Sequence, residues 1–475
     1  MFVPKLGAGA DARAESKCRL SLMLPTILSI QSLLLGMGIL LAGSGLLATL
    51  LGLRAHLAGF PDVMIGLIMS GFYVGYILGT LWIPPLIRRI GHVRSFTAMA
   101  ALSSATAIVH GLWVEPWAWL ALRVVSGISL LGLYMVIESW LNEQSNQIRG
   151  QIFGFYMTVS LLALGAGQFL ISVYGADALG SFALVALLFS LGLIPVALTQ
   201  VKQPTPIQTA RLSVMRLYRL APAGATGALL SGTVTGALWG MAAVYASRMG
   251  LPEAKIALFM ALLIFGGAFL QWPLGKLSDH FDRRKVLIGI AGAGVLSSFL
   301  LLNIVPVSDR GAVPVIFWVG VLLFGGFAFS LYAVSVAQTH DRLGPDQVLE
   351  ATRSLLLLNG AGAILGPLLS GLFMQWLGAP GFPVFILLTL VLLMALVIHR
   401  VRHDAPAPLE ERVDFVVSTR TSAVAAEFDP RIEEAAIQLQ AEGEDGARVD
   451  ESATVDVPPS TRKTENPHSG ASDGQ

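Results

Sequence analysis

Gln-Trp-Pro-Leu-Gly-Lys-Leu-Ser-Asp-His-Phe-Asp-Arg-Arg-Lys, residues 271–285, separates two long apolar runs, 256–270 and 286–302. Six of its side chains, from Lys276 to Lys285, carry a formal charge. Charge of this density between two segments that can cross a bilayer must lie at the membrane surface, where water and lipid headgroups solvate it. The stretch therefore predicts membrane-spanning segments that are joined by a short charged turn.

The composition also indicates a membrane protein. Of the 475 residues, 13% are charged and 54% are hydrophobic, and the mean hydropathy is +0.70. A soluble chain of this length needs more charged surface, so the composition excludes a soluble globular protein. Cys18 is the only cysteine, which excludes an internal disulfide and a cysteine-based metal cluster.

Apolar stretches of spanning length recur along the chain, each close to the roughly 20 residues that the hydrocarbon core requires. Backbone polar groups cannot stay unpaired in lipid, so these stretches are predicted to form a bundle of helices. The twelve predicted spans are 22–51, 62–87, 95–113, 117–141, 150–174, 178–199, 221–247, 254–275, 286–305, 313–338, 354–377 and 382–398.

A polar segment with two prolines, 200–220, divides these spans into six and six. We therefore predict an all-α membrane protein with twelve transmembrane helices in two pseudo-symmetric six-helix bundles and a disordered C-terminal tail. The predicted divisions are an N-terminal tail 1–20, an N-terminal bundle 21–199, a central linker 200–220, a C-terminal bundle 221–399 and an acidic tail 400–475.

The loop charges predict the orientation of the chain. Residues 1–399 carry a net charge of roughly +9 and residues 400–475 roughly −8. The N-terminal tail, the linker and the turns 88–94, 276–285 and 340–353 all lie on one side and hold most of the basic loop residues. The excess of Lys and Arg on this side predicts cytoplasmic termini, a cytoplasmic linker and a multi-pass protein of the cell inner membrane.

The chain changes character after Arg402. Prolines, many acidic residues and few aromatic residues describe a tail that cannot bury a core of its own. One patch within it, 414–419, is apolar enough to dock on another surface.

The first half contains a counterpart of the opening stretch. Residues 79–94, Gly-Thr-Leu-Trp-Ile-Pro-Pro-Leu-Ile-Arg-Arg-Ile-Gly-His-Val-Arg, also lie between the second and third spans of their half and are also basic. Duplication of a six-helix unit is how many transporters are built. Gly275-Lys-Leu-Ser-Asp-His-Phe-Asp-Arg-Arg284 resembles the signature loop of the major facilitator superfamily, and the twelve-span layout over 20–399 fits that resemblance.

Shorter motifs resemble the same superfamily. Residues 123–127, Arg-Val-Val-Ser-Gly, resemble its Arg-x-x-x-Gly pattern on the fourth span, and 362–367, Gly-Ala-Ile-Leu-Gly-Pro, its Gly-x-x-x-Gly-Pro pattern on the eleventh. Residues 136–139, Val-Ile-Glu-Ser, taken with 271–279, are similar to the YcaD-like branch of its bacterial members.

The chain departs from the superfamily pattern in two places. Arg88 stands where the first-half loop usually carries the signature carboxylate. Residues 165–168, Gly-Ala-Gly-Gln, lack the Gly-Pro step that marks many drug/proton antiporters. A drug-type efflux antiporter therefore remains an alternative rather than the first expectation.

The resemblance implies that two bundles rock about a central site and that Asp279 faces the start of the fifth span. The N–H groups and macrodipole of a helix start favour an anion. We therefore predict a cytoplasmic gate in which Asp279 accepts hydrogen bonds there and pairs with Arg149, while Arg283 and Arg284 anchor the turn. A loop that is merely solvated is the alternative.

The departure at the first-half turn predicts a second contact of this gate with reversed polarity. Arg88 or Arg89 would meet a carboxylate in the turn before the eleventh span, where Asp346 and Glu350 lie.

Two charged residues share one face of the fourth span. Fifteen residues at 1.5 Å each place Arg123 and Glu138 about 22 Å apart along the axis, so they need separate partners. Arg123 either faces the cavity, for an anionic substrate group or a proton-coupling partner, or extends to the outer headgroups. Glu138 is a candidate proton carrier or a partner of Arg149 or Arg353, with a structural ion pair as the alternative.

Other polar side chains in the spans either line the pathway or form hydrogen bonds between helices. The residues predicted to line the substrate and proton pathway, besides Arg123 and Glu138, are Gln31, Tyr134, Trp239, Tyr332 and Asn359.

The expected function is secondary transport of a small organic solute by alternating access, with protons as the coupling ion. A non-transporting receptor or scaffold that acts through its acidic tail is the alternative. An enzyme is not expected, because the spans hold no His/Asp or Ser/His cluster, and no Gly-x-x-x-x-Gly-Lys-Ser/Thr loop is present for nucleotide-driven pumping. The expected partners are the lipid bilayer, the solute and protons. No cofactor, metal or nucleic acid is expected, and one copy should suffice.

Overall fold

The computed structural model describes residues 8–143, 149–198, 213–303, 313–344 and 347–403, together with Phe415, Thr421 and Ser422. Side chains are described from Gln31 onward within these ranges, apart from 149–151 and 349. This part of the chain is all-helical, and twelve of its helices are long and apolar enough to cross a membrane. The predicted fold class is therefore confirmed.

The helices follow the predicted spans closely. The first half holds α1 (Ala8–Leu57), α2 (Asp62–Ile90), α3 (His92–Leu112), α4 (Pro116–Glu143), α5 (Arg149–Gln168) with a 3₁₀ turn (Phe169–Val173), and α6 (Leu179–Ala197). The second half holds α7 (Val214–Leu220), α8 (Pro222–Arg248), α9 (Glu253–His280), α10 (Arg283–Asn303), α11 (Val315–His340), α12 (Val348–Leu377) and α13 (Gly381–His403).

Several helices extend beyond the predicted spans, and one short helix was not predicted. Helix α1 begins at Ala8 rather than near residue 22, because the preceding stretch is rich in alanine and other strong helix formers. Part of the predicted linker forms the short helix α7, whose Leu217 is buried. Helix α13 continues to His403, since Arg400, Arg402 and His403 place positive charge at its C-terminus, where the macrodipole favours cations.

The two halves repeat one packing scheme. In the first half α2 packs on α4, α3 packs on α4 and α6, and α1 packs on α5 and α6. In the second half α9 packs on α11, α10 packs on α11 and α13, and α8 packs on α12 and α13. Counting only the long helices, the first to sixth of one half make the same pairs as the first to sixth of the other half. The structure therefore has the internal pseudo-symmetry of a duplicated transporter unit.

Glycines allow the closest helix contacts in both halves. A Cβ at Gly75 of α2 would meet the backbone of Val124 on α4, and a Cβ at Gly266 of α9 would meet the backbone of Leu322 on α11. Gly232, Gly236 and Gly240 on α8 likewise face the backbone or proline ring of α12. Small residues let helix backbones approach in lipid, where no hydrophobic force drives helices together.

The two bundles meet at one end and are separated at the other. The contacts between them involve α2 with α12, α5 with α9, and α1 with α8. Ser70 of α2 donates a hydrogen bond of 2.6 Å to the Ile364 carbonyl of α12, and Gly66 lies against Pro367. We name this side, with Asp62 and Glu253, the closed end, and the side with Arg88 and Gln271 the open end.

The glycine contacts lead to a stability prediction. Gly75→Ala should destabilise the protein by about 1–3 kcal/mol, because the added methyl group must push two helix backbones apart. The measurement is the apparent melting temperature of the purified protein in detergent. The control is Gly289→Ala on α10, where a Cβ would meet nothing within 4 Å. Equal melting temperatures for the two variants would contradict the assigned packing.

Candidate functional site

A central cavity of about 700 Å³ lies between the bundles. Side chains from both halves line it, and its wall reaches exposed Arg88 in the last turn of α2, so the cavity communicates with the surface at the open end. The inter-bundle contacts shut it off at the closed end. This volume is in the range of pockets that hold small organic ligands.

Arg123 lies in the cavity wall rather than among outer headgroups. The residue is only 7% exposed, and its guanidinium carbon stands 4.5 Å from the ring centroid of Phe72. Its Nε has no hydrogen-bond partner among the described residues. A cation over an aromatic face gains some electrostatic stabilisation, but a buried guanidinium still has donors to offer to a ligand in the cavity.

Glu138 lies fifteen residues after Arg123 on α4 and is fully buried. Tyr156 of α5 donates a hydrogen bond of 3.1 Å to its Oε1, and the Ser422 hydroxyl donates to its Oε2. Tyr134, one helical turn away, lines the cavity. The carboxylate is thus held at the edge of the cavity by hydroxyl groups. Arg149, a predicted partner, has its side chain outside the described residues.

The other predicted pathway residues divide into two groups. Trp239 lines the cavity and packs edge-on against Phe329, with ring centroids 6.0 Å apart. Asn359 lines it and also donates hydrogen bonds of 3.1 Å to the Ala228 carbonyl and the Ser231 hydroxyl of α8. The Asn359 side chain therefore both lines the pathway and forms hydrogen bonds between helices, which are the two roles that the sequence left open.

Gln31 and Tyr332 do not line the cavity. Gln31 is exposed on α1, in the first turn whose side chains are described. Tyr332 is fully buried among Leu217, Ala228 and neighbouring apolar residues, within the second bundle. Phe329, one turn earlier on α11, faces the cavity instead. The placement of these two residues corrects the prediction, because a span that is apolar on all sides gives no sign of its inner face.

The charged stretch 276–285, which forms the end of α9 and the start of α10, has its own network of ion pairs at the open end. The Asp279 carboxylate accepts a hydrogen bond of 3.1 Å from Arg283 and lies 3.5 Å from the Lys276 amine. Arg283 also forms an ion pair of 3.2 Å with Asp341, which follows α11, and Arg284 pairs with Asp282 at 2.9 Å. Arg283 thereby ties the turn to the second bundle.

The predicted contacts across the gate are not among these partners. With the open end open, the described ion pairs of Asp279 stay within its own turn. Arg88 lines the cavity mouth, Arg353 lines the wall on the opposite bundle, and Arg89 is exposed. Glu350 is half-buried in the first turn of α12, whereas Asp346 lies outside the described residues. The gate therefore stays a prediction for the other conformation.

The closed end carries an ion pair that the sequence analysis missed. Asp62, at the start of α2, is fully buried and lies 2.9 Å from Arg248 at the end of α8. Its backbone N–H donates a hydrogen bond of 3.1 Å to the Gln375 side chain of α12. On the other side, Glu253, at the start of α9, accepts a hydrogen bond of 3.0 Å from the Ala176 N–H.

A repeat in the sequence could have revealed this pair of carboxylates. Residues 59–62 read Gly-Phe-Pro-Asp and 250–253 read Gly-Leu-Pro-Glu, each just before the second long helix of its half. Gly59 and Gly250 both end the preceding helix with φ near +77°, at 76° and 77°, a region that favours glycine. The two acids are therefore matched positions of the duplication, and each contacts the opposite bundle.

The sequence analysis also missed several cavity residues. Phe72 and Tyr76 of α2, and Gln271 of α9, line the cavity. The aromatic residues at 72, 73 and 76 have helical spacing, and Gln271 opens the charged stretch that we singled out first. Thr421 and Ser422 of the tail line the cavity as well, which no local pattern in the sequence indicates.

Comparison with known proteins identifies a family for the chain. The model of the Major Facilitator Superfamily matches residues 33–349 and 224–433. An uncharacterized MFS-type transporter YcaD of Escherichia fergusonii is 29% identical over 318 residues, which cover 66% of this chain and 81% of the relative. The YcaD protein of Salmonella newport is 29% identical over 321 residues, covering 67% and 81%.

Solved structures share the fold. The nucleoside transporter NupG has a TM-score of 0.68 with 13% identity, covering 79% of this chain and 99% of that protein. A bacterial homolog of the human lysosomal transporter Spinster, in an inward-facing and occupied conformation, has a TM-score of 0.65 with 17% identity, covering 81% and 97%. At these identities the likeness concerns the fold alone.

The buried ion pair at the closed end predicts the direction of two changes in stability. Arg248→Ala should destabilise the protein by about 3 kcal/mol, because it leaves the Asp62 carboxylate buried without its counter-charge. Adding Asp62→Asn should recover most of that loss, since no charge then remains to be compensated. The melting temperature in detergent measures both effects.

Arg54→Ala is the control, because it removes the same kind of charge from the end of α1 at the same side of the molecule. A double variant as unstable as Arg248→Ala alone would show that the charge of Asp62 does not account for the loss.

Proposed function

The chain belongs to the Major Facilitator Superfamily of membrane transporters, and we propose that it is a secondary active transporter that moves a small organic solute by alternating access. The observation that carries this proposal is the cavity, which both bundles line and which is open at one end and shut at the other. Rocking of two pseudo-symmetric bundles about such a site is how duplicated transporters expose it to each side in turn. The proposal assigns no chemical transformation to the chain.

The open end is proposed to face the cytoplasm. The basic turns 88–94 and 276–285 lie there, and positively charged loops are retained on the cytoplasmic side. Both termini then lie in the cytoplasm of a cell whose inner membrane holds the protein. One copy contains both bundles and the whole cavity, so a monomer suffices.

Arg123 is proposed to bind an anionic or acceptor group of the solute. It is a buried cation of the cavity wall, and its guanidinium carbon lies 4.5 Å from the centroid of the Phe72 ring. A solute carboxylate or phosphate would supply the opposite charge and satisfy the free Nε–H. Trp239 and Phe329 offer apolar surface for the rest of such a solute.

Glu138 is proposed to carry the coupling proton. Its carboxylate is buried, lies near the cavity through Tyr134 and accepts hydrogen bonds from the hydroxyl groups of Tyr156 and Ser422. Buried ionisable residues in membrane spans are typical of proton relays. Arg123 and Glu138 then bind solute and proton at separate places on one helix.

The test of this proposal starts with a thermal-shift screen of the purified protein against organic carboxylates, organic phosphates, sugars and nucleosides. Solutes that stabilise the protein are then used in proteoliposome uptake with an imposed pH gradient. Arg123→Ala should weaken binding of the acidic solutes by about ten- to a hundredfold, the value of a hydrogen bond to a charged group. Glu138→Gln should retain binding but lose the dependence of uptake on the pH gradient.

The matched controls are Arg94→Ala and Glu143→Gln, which remove the same groups from exposed positions on α3 and α4. Wild-type behaviour of both cavity variants would overturn the assigned roles. If the protein binds a solute but the proteoliposomes take up none of it, the result would argue for the receptor alternative.

The gate leads to a separate prediction. Arg88→Glu should abolish uptake, because it places like charges where the two bundles must meet at the open end, and adding Glu350→Arg should restore part of it. Arg89→Glu, on the exposed face of the same turn, is the comparison. If Glu350→Arg rescues nothing, the reversed-polarity contact loses its support.

A second gate variant addresses the signature carboxylate. Asp279→Asn should slow uptake while the protein keeps its melting temperature, because the lost charge serves closure rather than folding. If Asp279→Asn slows uptake and also lowers the melting temperature, Asp279 mainly holds the turn together through Arg283.

A further inference from the structure

The three residues of the C-terminal tail that the structure describes contact the central cavity and its rim. They are Phe415, Thr421 and Ser422, which we call the tail anchors. Phe415 is 7% exposed and Ser422 is 3% exposed, although neither belongs to a helix. A tail that contributes buried residues to the central cavity of a transporter is placed to affect its cycle.

Phe415 fits a recess on the second bundle. Its ring lies over Gly275 of α9, where a Cβ would overlap the ring, and it packs with Ala333 and Ala337 of α11. Its backbone N–H donates a hydrogen bond of 2.8 Å to Asp279. Gly275, Ala333 and Ala337 therefore leave room for an aromatic ring, and Asp279 accepts the hydrogen bond of the backbone N–H beside it.

Thr421 and Ser422 contact the first bundle. The Tyr76 hydroxyl of α2 donates to the Thr421 carbonyl, and the Ser422 hydroxyl donates to Glu138 of α4. Both anchors line the cavity. Their partners are the groups that a hydroxyl- or amide-bearing solute would meet on its way from the open end.

The anchors thus join the two bundles across the open end. Seven peptide units separate Phe415 from Ser422, and an extended chain of that length reaches about 25 Å. Closure of the open end would bring the two bundles together in the space that Thr421 and Ser422 occupy. Asp279, which the predicted gate requires, is already bonded to Phe415.

We propose that the tail anchors act as a tethered ligand of the cavity. Phe415 docks on Gly275, Ala333, Ala337 and Asp279, and the Ser422 hydroxyl donates its hydrogen bond to Glu138. The docked tail holds the open end open and thereby inhibits transport. Release of the tail removes one hydrogen bond from each of the two carboxylates, Asp279 and Glu138. Because the occupant is part of the same chain, its local concentration is high and only weak contacts are needed to keep it bound.

The first test detects docking and does not depend on solute transport, so its failure and a failure of the proposed function are distinguishable. In full-length protein with Cys18→Ser, Tyr76→Cys and Thr421→Cys are linked with a short bismaleimide, and the linked peptides are quantified by mass spectrometry. The reference pair is Tyr76→Cys with Ser460→Cys, farther along the tail. We expect linkage to residue 421 to be much faster than linkage to residue 460.

Two further substitutions test the recess from both sides. Phe415→Ala and Gly275→Ala should each slow linkage about tenfold, since one removes the buried ring and the other fills its place. Phe428→Ala removes the same side chain elsewhere in the tail and should leave the rate unchanged. Equal rates for both cysteine pairs, or no effect of Phe415→Ala, would overturn docking. Links formed mainly between two chains would overturn the intramolecular form of the proposal.

The second test measures whether docking of the tail holds the open end open, which is the basis of the proposed inhibition. Spin labels at Arg94→Cys on α3 and Lys285→Cys on α10, both exposed near the open end, report the distance between the bundles. Phe415→Ala should shift the distance distribution towards shorter values, whereas Phe428→Ala should not. Docking without such a shift would overturn the inhibitory role.

Discussion

The contact between the bundles at the closed end decides how the rest of the molecule is arranged. Asp62 and Glu253 begin the second long helix of each half, and each reaches into the opposite bundle. A buried charge is costly unless an opposite charge or hydrogen-bond donors compensate it. With this end shut, Asp62 pairs with Arg248 of the opposite bundle at 2.9 Å. The cavity can therefore be open on the other side while both carboxylates stay satisfied, and separation of the closed end would have to replace these partners with water.

Within the cavity, charge is divided along a single helix. Arg123 and Glu138 lie on α4 about 22 Å apart, so neither neutralises the other. Arg123 stands against Phe72 on the closed-end side, and Glu138 is held by Tyr156 towards the open end. In the proposed mechanism this separation lets an acidic solute and a proton bind without competing for one group.

At the open end, one carboxylate has two possible uses. Asp279 is bonded to Arg283 and to the Phe415 N–H in the open conformation, and the predicted gate needs the same group for the start of α5. Arg283 and the Phe415 N–H share Oδ1 of Asp279, whereas Oδ2 accepts no hydrogen bond from the described residues and lies 3.5 Å from the Lys276 amine. The proposed control by the tail therefore follows from space rather than from a shortage of acceptor positions, because Thr421 and Ser422 line the cavity at the end where the bundles would close.

The sequence by itself determined the twelve spans, the duplication and the place of the charged turns. Hydropathy over 20 residues is a local property, and lipid leaves a long apolar segment no alternative to a helix. Arg123 was also found from sequence, since a lone cation in a span is costly and therefore conspicuous. Only the tertiary structure decided which side chains face the cavity, because a helix that is apolar all round does not mark its inner face; Tyr332 was misplaced for this reason. It alone decided the pairing of Asp62 with Arg248 and of Glu138 with Ser422. These partners lie 186 and 284 residues apart in the chain, and the tertiary structure brings them together.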